Sequence, residues 1–137
     1  MQEMVRQPSI SATEGEAVMG DKIVEILSRI EYFQLNPANI FVNKTTENGP
    51  QKSVAAFLRG NNPENKETVV LMGHMDVVDI DDYADLSDFA FNPEKLKEKL
   101  KNKDLTENVK TDLESSNYIF GRGTADMKGG QAVQLSL

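Results

Sequence analysis

The chain has 137 residues, of which 39% are hydrophobic and 27% charged, as is typical of one soluble globular domain. Its formal net charge of -7 argues against nucleic acid and anionic membranes as partners, because both attract clustered Lys and Arg. Cysteine is absent, which excludes disulfides and thiolate metal sites, so any metal must be held by histidine and carboxylates. No apolar run approaches the ~20 residues of a membrane span. The first residues also lack the apolar core of a secretory signal, so we expect a cytoplasmic protein.

The first third of the chain is predicted to be helical. A short amphipathic helix ends at Pro8. Thr13 and Glu16 have the spacing of a capping box, which predicts that a second helix begins there and extends to about Phe33. The apolar face of this second helix would consist of Met19, Ile23, Ile26, Leu27 and Ile30.

The middle of the chain predicts three strands, at residues 40–44, 53–59 and 68–72. A turn is expected at residues 48–50, which read Asn-Gly-Pro. The second and third strands should pair antiparallel, because the connection at residues 60–65 is too short for a crossover. The third strand is apolar on both faces, which is typical of the centre of an α/β sheet, where the strand would be buried.

The last third predicts two short helices, a strand and a final apolar helix. Asn-Pro-Glu at residues 92–94 marks a helix start, and residues 104–107 suggest another capping box. Both helices carry many charges and should lie on the surface. A strand at residues 118–120 would lead into the glycine-rich segment 121–130, and an apolar helix would begin at Gly129.

The only histidine, His74, follows the apolar run of the third predicted strand, where open α/β sheets build their sites. Asp76 is two residues further on, and side chains with that spacing point the same way along a strand. Asp76 could therefore accept the second imidazole N–H and fix the tautomer of the ring. The simpler interpretation is a hydrogen-bonded histidine in the core or at its rim.

The glycine-rich segment supplies a second carboxylate, Asp126. It could also be a phosphate cradle, but it has neither P-loop nor dinucleotide-binding spacing. A tight turn with a solvated aspartate is the other alternative. The acidic stretch at residues 79–88 is best interpreted as a solvated loop, although it could attract a metal or a basic substrate. An imidazole, an orienting carboxylate and a further carboxylate begin a catalytic zinc site without completing it.

Together these motifs resemble the M20 family of zinc metallopeptidases and amidohydrolases. The matching segments are residues 73–78 and 121–130, with the opening at residues 7–16. The resemblance implies an α/β fold in which residues 1–137 are the N-terminal portion of a single catalytic domain. That domain would be zinc-peptidase-like, with three α/β/α layers and a mixed sheet. A helical insert at about residues 93–116 looks like the arginine-utilisation branch of the family, and no dimerisation domain is present.

The resemblance also implies roles for individual residues. His74 and Asp126 would be metal ligands, with Asp126 bridging two zinc ions, and Asp76 would be the catalytic residue that holds the His74 ring. The peptide bond after Asp126 is often cis in this family, and Arg122 and Lys128 would support that turn. The metals would polarise a carbonyl group and activate a water for amide hydrolysis. The same ligand types suit cobalt or manganese.

The predicted function is therefore part of a cytoplasmic metal-dependent hydrolase of amino-acid catabolism, and the resemblance to the arginine-utilisation branch implies arginine catabolism. Its substrate would be a small peptide or an N-acyl amino acid, and the resemblance allows a homodimer of the parent protein. The family's general-base Glu and its other ligands have no match in these residues, so we expect the isolated chain to be inactive. The alternatives are a non-catalytic binding or assembly module on a decayed hydrolase scaffold, and completion of the site in trans. The apolar surface of Val133, Leu135 and Leu137 should lack a covering partner, which predicts self-association or marginal stability.

Overall fold

A computed structural model describes residues 1–45, 49, 51–62 and 64–137 of the chain. It is a mixed structure of helices and strands, which fits the α/β class in general. Its helices are α1 (Gln2–Arg6), α2 (Glu14–Leu27), α3 (Glu31–Leu35), α4 (Pro93–Leu100), α5 (Glu107–Glu114) and α6 (Gly129–Gln134). Short 3-10 segments span Pro37–Asn39 and Asp81–Phe89, a π-helical turn spans Thr124–Lys128, and the strands are β1 (Ile40–Lys44) and β2 (Lys52–Ala56).

Helix α2 organises the main hydrophobic core. Thr13 is its N-cap residue, as predicted, but the predicted capping box does not form. The Thr13 hydroxyl donates to the carbonyl of Ile10 at 2.6 Å, and the Glu16 carboxylate accepts a hydrogen bond from the backbone N–H of Ala12 at 2.9 Å. The predicted apolar face packs as expected, because three of its members are buried and the other two pack partly buried against them. The buried cluster consists of Met4, Met19, Ile23, Leu27 and Phe33.

The predicted single helix to Phe33 is instead two helices, separated at residues 28–30. The Ser28 hydroxyl donates to the carbonyl of Val24 at 2.7 Å, a local bond of the kind that competes with helix continuation. Ile30 then adopts an extended backbone and serves as the N-cap residue of α3. The break lets Phe33 turn into the core.

The sheet is a hairpin of β1 and β2, and this corrects the predicted strand pairing. The two strands are antiparallel, with Ile40 opposite Ala56 and Lys44 opposite Lys52. We expected residues 53–59 to pair with residues 68–72, and that prediction was wrong. Residues 48 and 50 of the predicted turn, and Pro63 in the later connection, lie outside the described residues.

Residues 68–72 do not form the buried strand that their apolarity predicts. The segment has no regular secondary structure and is exposed, with Val69 at 83%, Val70 at 72% and Met72 at 78% of full exposure. A strand needs a neighbour for its backbone groups, and in the described part of the chain β2 pairs with β1 instead. The predicted strand at residues 118–120 is also absent, because this stretch has no strand pairing and leads directly into the glycine turn.

The two predicted surface helices form within residues 93–116. The Asn92 side chain caps α4 by accepting a hydrogen bond from the backbone N–H of Lys95 at 3.1 Å. Leu96 and Leu113 provide the buried contacts of α4 and α5. Thr106, rather than Asp104, is the N-cap residue of α5, and no side chain caps that end. None of the helices in the described residues is long and apolar enough to cross a membrane.

Candidate metal centre

The structure brings His74, Asp76 and Asp126 together. Nε2 of His74 lies 2.8 Å from Oδ1 of Asp126, across 52 residues of sequence. Nδ1 lies 3.0 Å from the backbone carbonyl oxygen of Asp76 and 3.2 Å from its Oδ1. Asp76 therefore faces one ring nitrogen, as predicted, although its backbone carbonyl accepts the hydrogen bond and its carboxylate lies beside it.

The contacts of the ring determine where its protons lie. A carbonyl oxygen only accepts, so Nδ1 of His74 donates to Asp76. Nε2 then faces the Asp126 carboxylate, an arrangement that is favourable only when a proton or another cation lies between the two atoms. The hydrogen bond with Asp126 raises the pKa of His74 above its ordinary value. The contacts with Asp76 raise this pKa by a smaller amount, whereas partial burial of the ring lowers it.

Helix α6 holds the backbone segment that carries the histidine. Gln131 Nε2 donates to the carbonyl of His74 at 2.9 Å, and Gln134 Nε2 donates to the carbonyl of Met72 at 3.0 Å. Carbonyls two residues apart point to the same edge of an extended segment, so one helix binds both. Gly73 permits this approach, because a Cβ there would lie 3.2 Å from Cγ of Gln131.

The glycine-rich segment forms a tight turn that presents Asp126. Gly123 has φ 80° and precedes the π-helical turn, and the backbone N–H of Lys128 donates to the carbonyl of Gly123 at 2.9 Å. The peptide bond between Asp126 and Met127 is cis, as the family resemblance implied. The Asp126 side chain is 86% exposed and, together with His74, lines an open cavity of about 230 Å³. The site therefore opens to solvent.

Two cationic side chains, those of Arg122 and Lys128, bind protein groups around this turn. Arg122 forms an ion pair with Asp82, and its guanidinium lies 4.8 Å from the ring centre of Tyr83. Lys128 is fully buried, and its Nζ donates to the carbonyl of Gln7 at 2.7 Å. Burial lowers the pKa of Lys128 to about 8. Both side chains bind protein groups around the turn, which is the structural role that the resemblance implied.

The acidic stretch at residues 79–88 forms ion pairs with other segments of the chain. Besides the Asp82 contact with Arg122, the Asp85 carboxylate accepts hydrogen bonds from Lys103 at 2.6 and 2.8 Å. The lysine lowers the pKa of Asp85. Two of its acids therefore neutralise basic side chains of neighbouring segments.

The donor types suit zinc, but the residues that the structure describes supply too few of them. Zinc bonds of about 2.0–2.1 Å at tetrahedral angles place two donors about 3.3 Å apart. The 2.8 Å between Nε2 of His74 and Oδ1 of Asp126 would need to widen by about half an ångström, which the exposed aspartate allows. No group of three or more His, Cys, Asp or Glu side chains that could hold a metal occurs among the described residues. A catalytic zinc usually has three protein ligands, so a zinc ion held by His74 and Asp126 would need at least one more ligand from outside the described residues.

Sequence reasoning missed Ser11 and Gln131. Ser11 Oγ donates to Oδ2 of Asp76 at 2.6 Å, across 65 residues, and this hydroxyl is the main cause that lowers the pKa of Asp76. Ser11 lies in the opening segment, residues 7–16, that resembles the family. That resemblance was the one feature of the sequence that could have pointed to it. Nothing in the spacing of Gln131 distinguishes it from an ordinary helical residue.

The chain is similar to two curated proteins of Bacillus subtilis (strain 168). It is 36% identical over 135 residues to Protein RocB and 36% identical over 136 residues to the uncharacterized protein YqjN. These matches cover 97% and 98% of this chain. The chain spans about a quarter of the length of these relatives, 24% in each case. No protein-family model matches the chain. No solved structure matches it either.

Proposed function

We propose that this chain contributes half of the metal centre of a cytoplasmic M20-type hydrolase, which cleaves a peptide or N-acyl amino-acid amide bond. The observation that carries the proposal is the convergence of His74 Nε2 and Asp126 Oδ1, with the other ring nitrogen engaged by Asp76. An imidazole with its proton on Nδ1 presents the lone pair of Nε2 to a cation, and the neighbouring carboxylate can bind the same cation. The link to amino-acid catabolism, and to arginine in particular, rests on the family resemblance.

Each of the three residues has its own part in the proposed reaction. His74 and Asp126 would hold zinc, and Asp76 would keep the ring in the tautomer that has its proton on Nδ1. Zinc supplies a Lewis acid that polarises the amide carbonyl and activates a water. The open cavity in front of Asp126, whose lining includes Gly123 and Thr124, would admit the amide group of the substrate.

Metal binding is tested by zinc titration of the 137-residue chain, followed by NMR. The chain has one histidine, so its imidazole signals are unambiguous. We expect weak, saturable binding that shifts the His74 signals, and a large loss of affinity in His74→Ala and Asp126→Ala. Asp79→Asn, outside the site, is the control and should bind like the parent chain. Tight stoichiometric binding would contradict the two-ligand site, and unchanged His74 signals would contradict metal binding altogether.

The hydrolase assignment is tested in a chimera, because the isolated chain should be inactive. The matching quarter of Protein RocB is replaced by this chain, and zinc-dependent hydrolysis of dipeptides and N-acyl amino acids is measured. We expect activity that His74→Ala and Asp126→Ala abolish, while Asp79→Asn retains it. Absence of hydrolysis in both the chimera and unaltered RocB would instead favour the non-catalytic binding module.

A further inference from the structure

The two oxygens of the Asp76 carboxylate have different partners. Oδ1 lies 3.2 Å from Nδ1 of His74, whereas Oδ2 accepts the hydroxyl hydrogen bond of Ser11 at 2.6 Å. The second distance is that of a strong, charge-assisted hydrogen bond. The carboxylate therefore bridges the histidine ring and the serine hydroxyl.

Ser11 is itself held firmly by backbone contacts. Its N–H donates to the carbonyl of Val77 at 2.9 Å, and the N–H of Val77 donates to the carbonyl of Ser9 at 2.8 Å. These bonds form a parallel bridge between Ile10 and Val77, and Val77 is only 3% exposed. The bridge fixes the position of the serine next to the residue that precedes Val77, namely Asp76.

The Asp76 side chain needs such a partner because it is not enclosed. It is 37% exposed, so packing alone leaves its rotation incompletely restricted. A hydrogen bond to Oδ2 turns the plane of the carboxylate and thereby directs Oδ1 toward the imidazole. The Ser11 hydroxyl donates to the carboxylate, and the Val77 carbonyl is a more distant second acceptor at 3.2 Å. The hydroxyl does not donate to the imidazole, so it is not arranged as a nucleophile.

We propose that Ser11 is a positioning residue of the metal centre. Its hydroxyl holds the Asp76 carboxylate against His74 and thereby orients the imidazole for metal binding. The inference rests on the proposed function, because it assigns a role at the same site. Loss of the groups that orient a metal-binding histidine typically lowers metal affinity by about 10- to 100-fold. Since Ser11 acts through Asp76, we expect an effect at the lower end, about 10-fold.

The test is a double-mutant cycle on zinc affinity in the 137-residue chain. Ser11→Ala should weaken binding about 10-fold, whereas Ser11→Thr should bind like the parent chain because it retains the hydroxyl. Asp76→Ala should weaken binding at least as much, and Ser11→Ala added to Asp76→Ala should cause no further loss. Ser28→Ala is the matched control, because its hydroxyl binds the Val24 carbonyl in α2. Unchanged affinity in Ser11→Ala, or full multiplication of the two losses, would overturn the proposal.

A second readout does not depend on metal. The ¹⁵N signals of the single imidazole in the metal-free chain should shift and broaden in Ser11→Ala, and return to normal in Ser11→Thr. A purely structural serine such as Ser28 should leave them unchanged. If zinc does not bind but Ser11→Ala disturbs the ring, the positioning role stands and the proposed metal centre fails. If the ring signals of Ser11→Ala match those of the parent chain, the positioning role is wrong whether or not zinc binds.

Discussion

Gly123 lies where the glycine turn packs against Val77 of the histidine-bearing segment. Its φ of 80° lies in the left-handed region that favours glycine. A Cβ at this position would lie 2.6 Å from Cγ1 of Val77, a side chain that is almost fully buried. The sequence shows that segment 121–130 is rich in glycine. It did not identify Val77 as the neighbour, because that contact joins distant parts of the chain.

Gly123→Ala should therefore lower the free energy of unfolding by about 1–3 kcal/mol, through backbone strain and the clash with Val77. Gly60→Ala is the matched control, because a Cβ at Gly60 would meet nothing within 4 Å. It should leave stability nearly unchanged. Urea unfolding of the two variants and the parent chain measures the difference, and equal effects of the two substitutions would contradict the described turn.

Among the elements, the segment at residues 68–72 departs most from what its sequence predicts. Its apolarity predicts burial, yet four successive side chains, Val69 to Met72, are exposed. Gln134 binds its backbone at Met72, and we find no strand beside it among the described residues. Its composition is typical of a central strand, but that position exists only when strands lie on both sides.

An exposed apolar segment with the composition of a strand and no neighbour tends to pair with another chain, so we expect this protein to self-associate. Val70→Lys should reduce self-association, because a charge on such a segment opposes strand pairing between chains. Val18→Lys makes the same change on the exposed side of α2 and should leave association as it is in the parent chain. Sedimentation velocity over a range of concentrations measures both, and a parent chain that remains monomeric at high concentration would contradict the prediction.

At the scale of the whole molecule, the buried Lys128 ties the two ends of the chain together. Its ammonium donates to the Gln7 carbonyl across 121 residues and lies 5.6 Å from the ring centre of Phe91. Val5 packs near the same turn, because its Cγ1 would lie 2.7 Å from a Cβ at Gly121. The turn that carries Asp126 therefore rests on the N-terminal segment.

Burial of Lys128 makes stability depend on pH. Its pKa is about 8 in the folded chain, below the ordinary 10.5, so the unfolded chain binds more protons between these values. The free energy of unfolding should therefore rise with pH in this window, by about 2 kcal/mol from pH 7.5 to 9.5 for this group. Lys128→Met removes the titrating group and should remove this part of the rise. Urea unfolding at both pH values measures it, and an equal rise in the variant would show that Lys128 does not titrate there.

Local features of this protein could be predicted from sequence because they depend on neighbours in the chain. The N-cap of α4 at Asn92 needs only the residues that follow it, and the apolar face of α2 needs only helical spacing. The proximity of His74 and Asp76 follows from their separation by two residues. The cis peptide after Asp126 came from the family resemblance and not from these local rules.

Only the tertiary structure decided which distant segments meet. It paired β2 with β1 instead of residues 68–72, and it brought Asp126 to His74 and Ser11 to Asp76. Local propensity does not specify such contacts, because several alternative pairings satisfy the same apolar and glycine patterns. The sequence alone thus determined the kinds of group available for a metal. The fold determined that one imidazole and one carboxylate converge, and that a serine holds the second carboxylate in place.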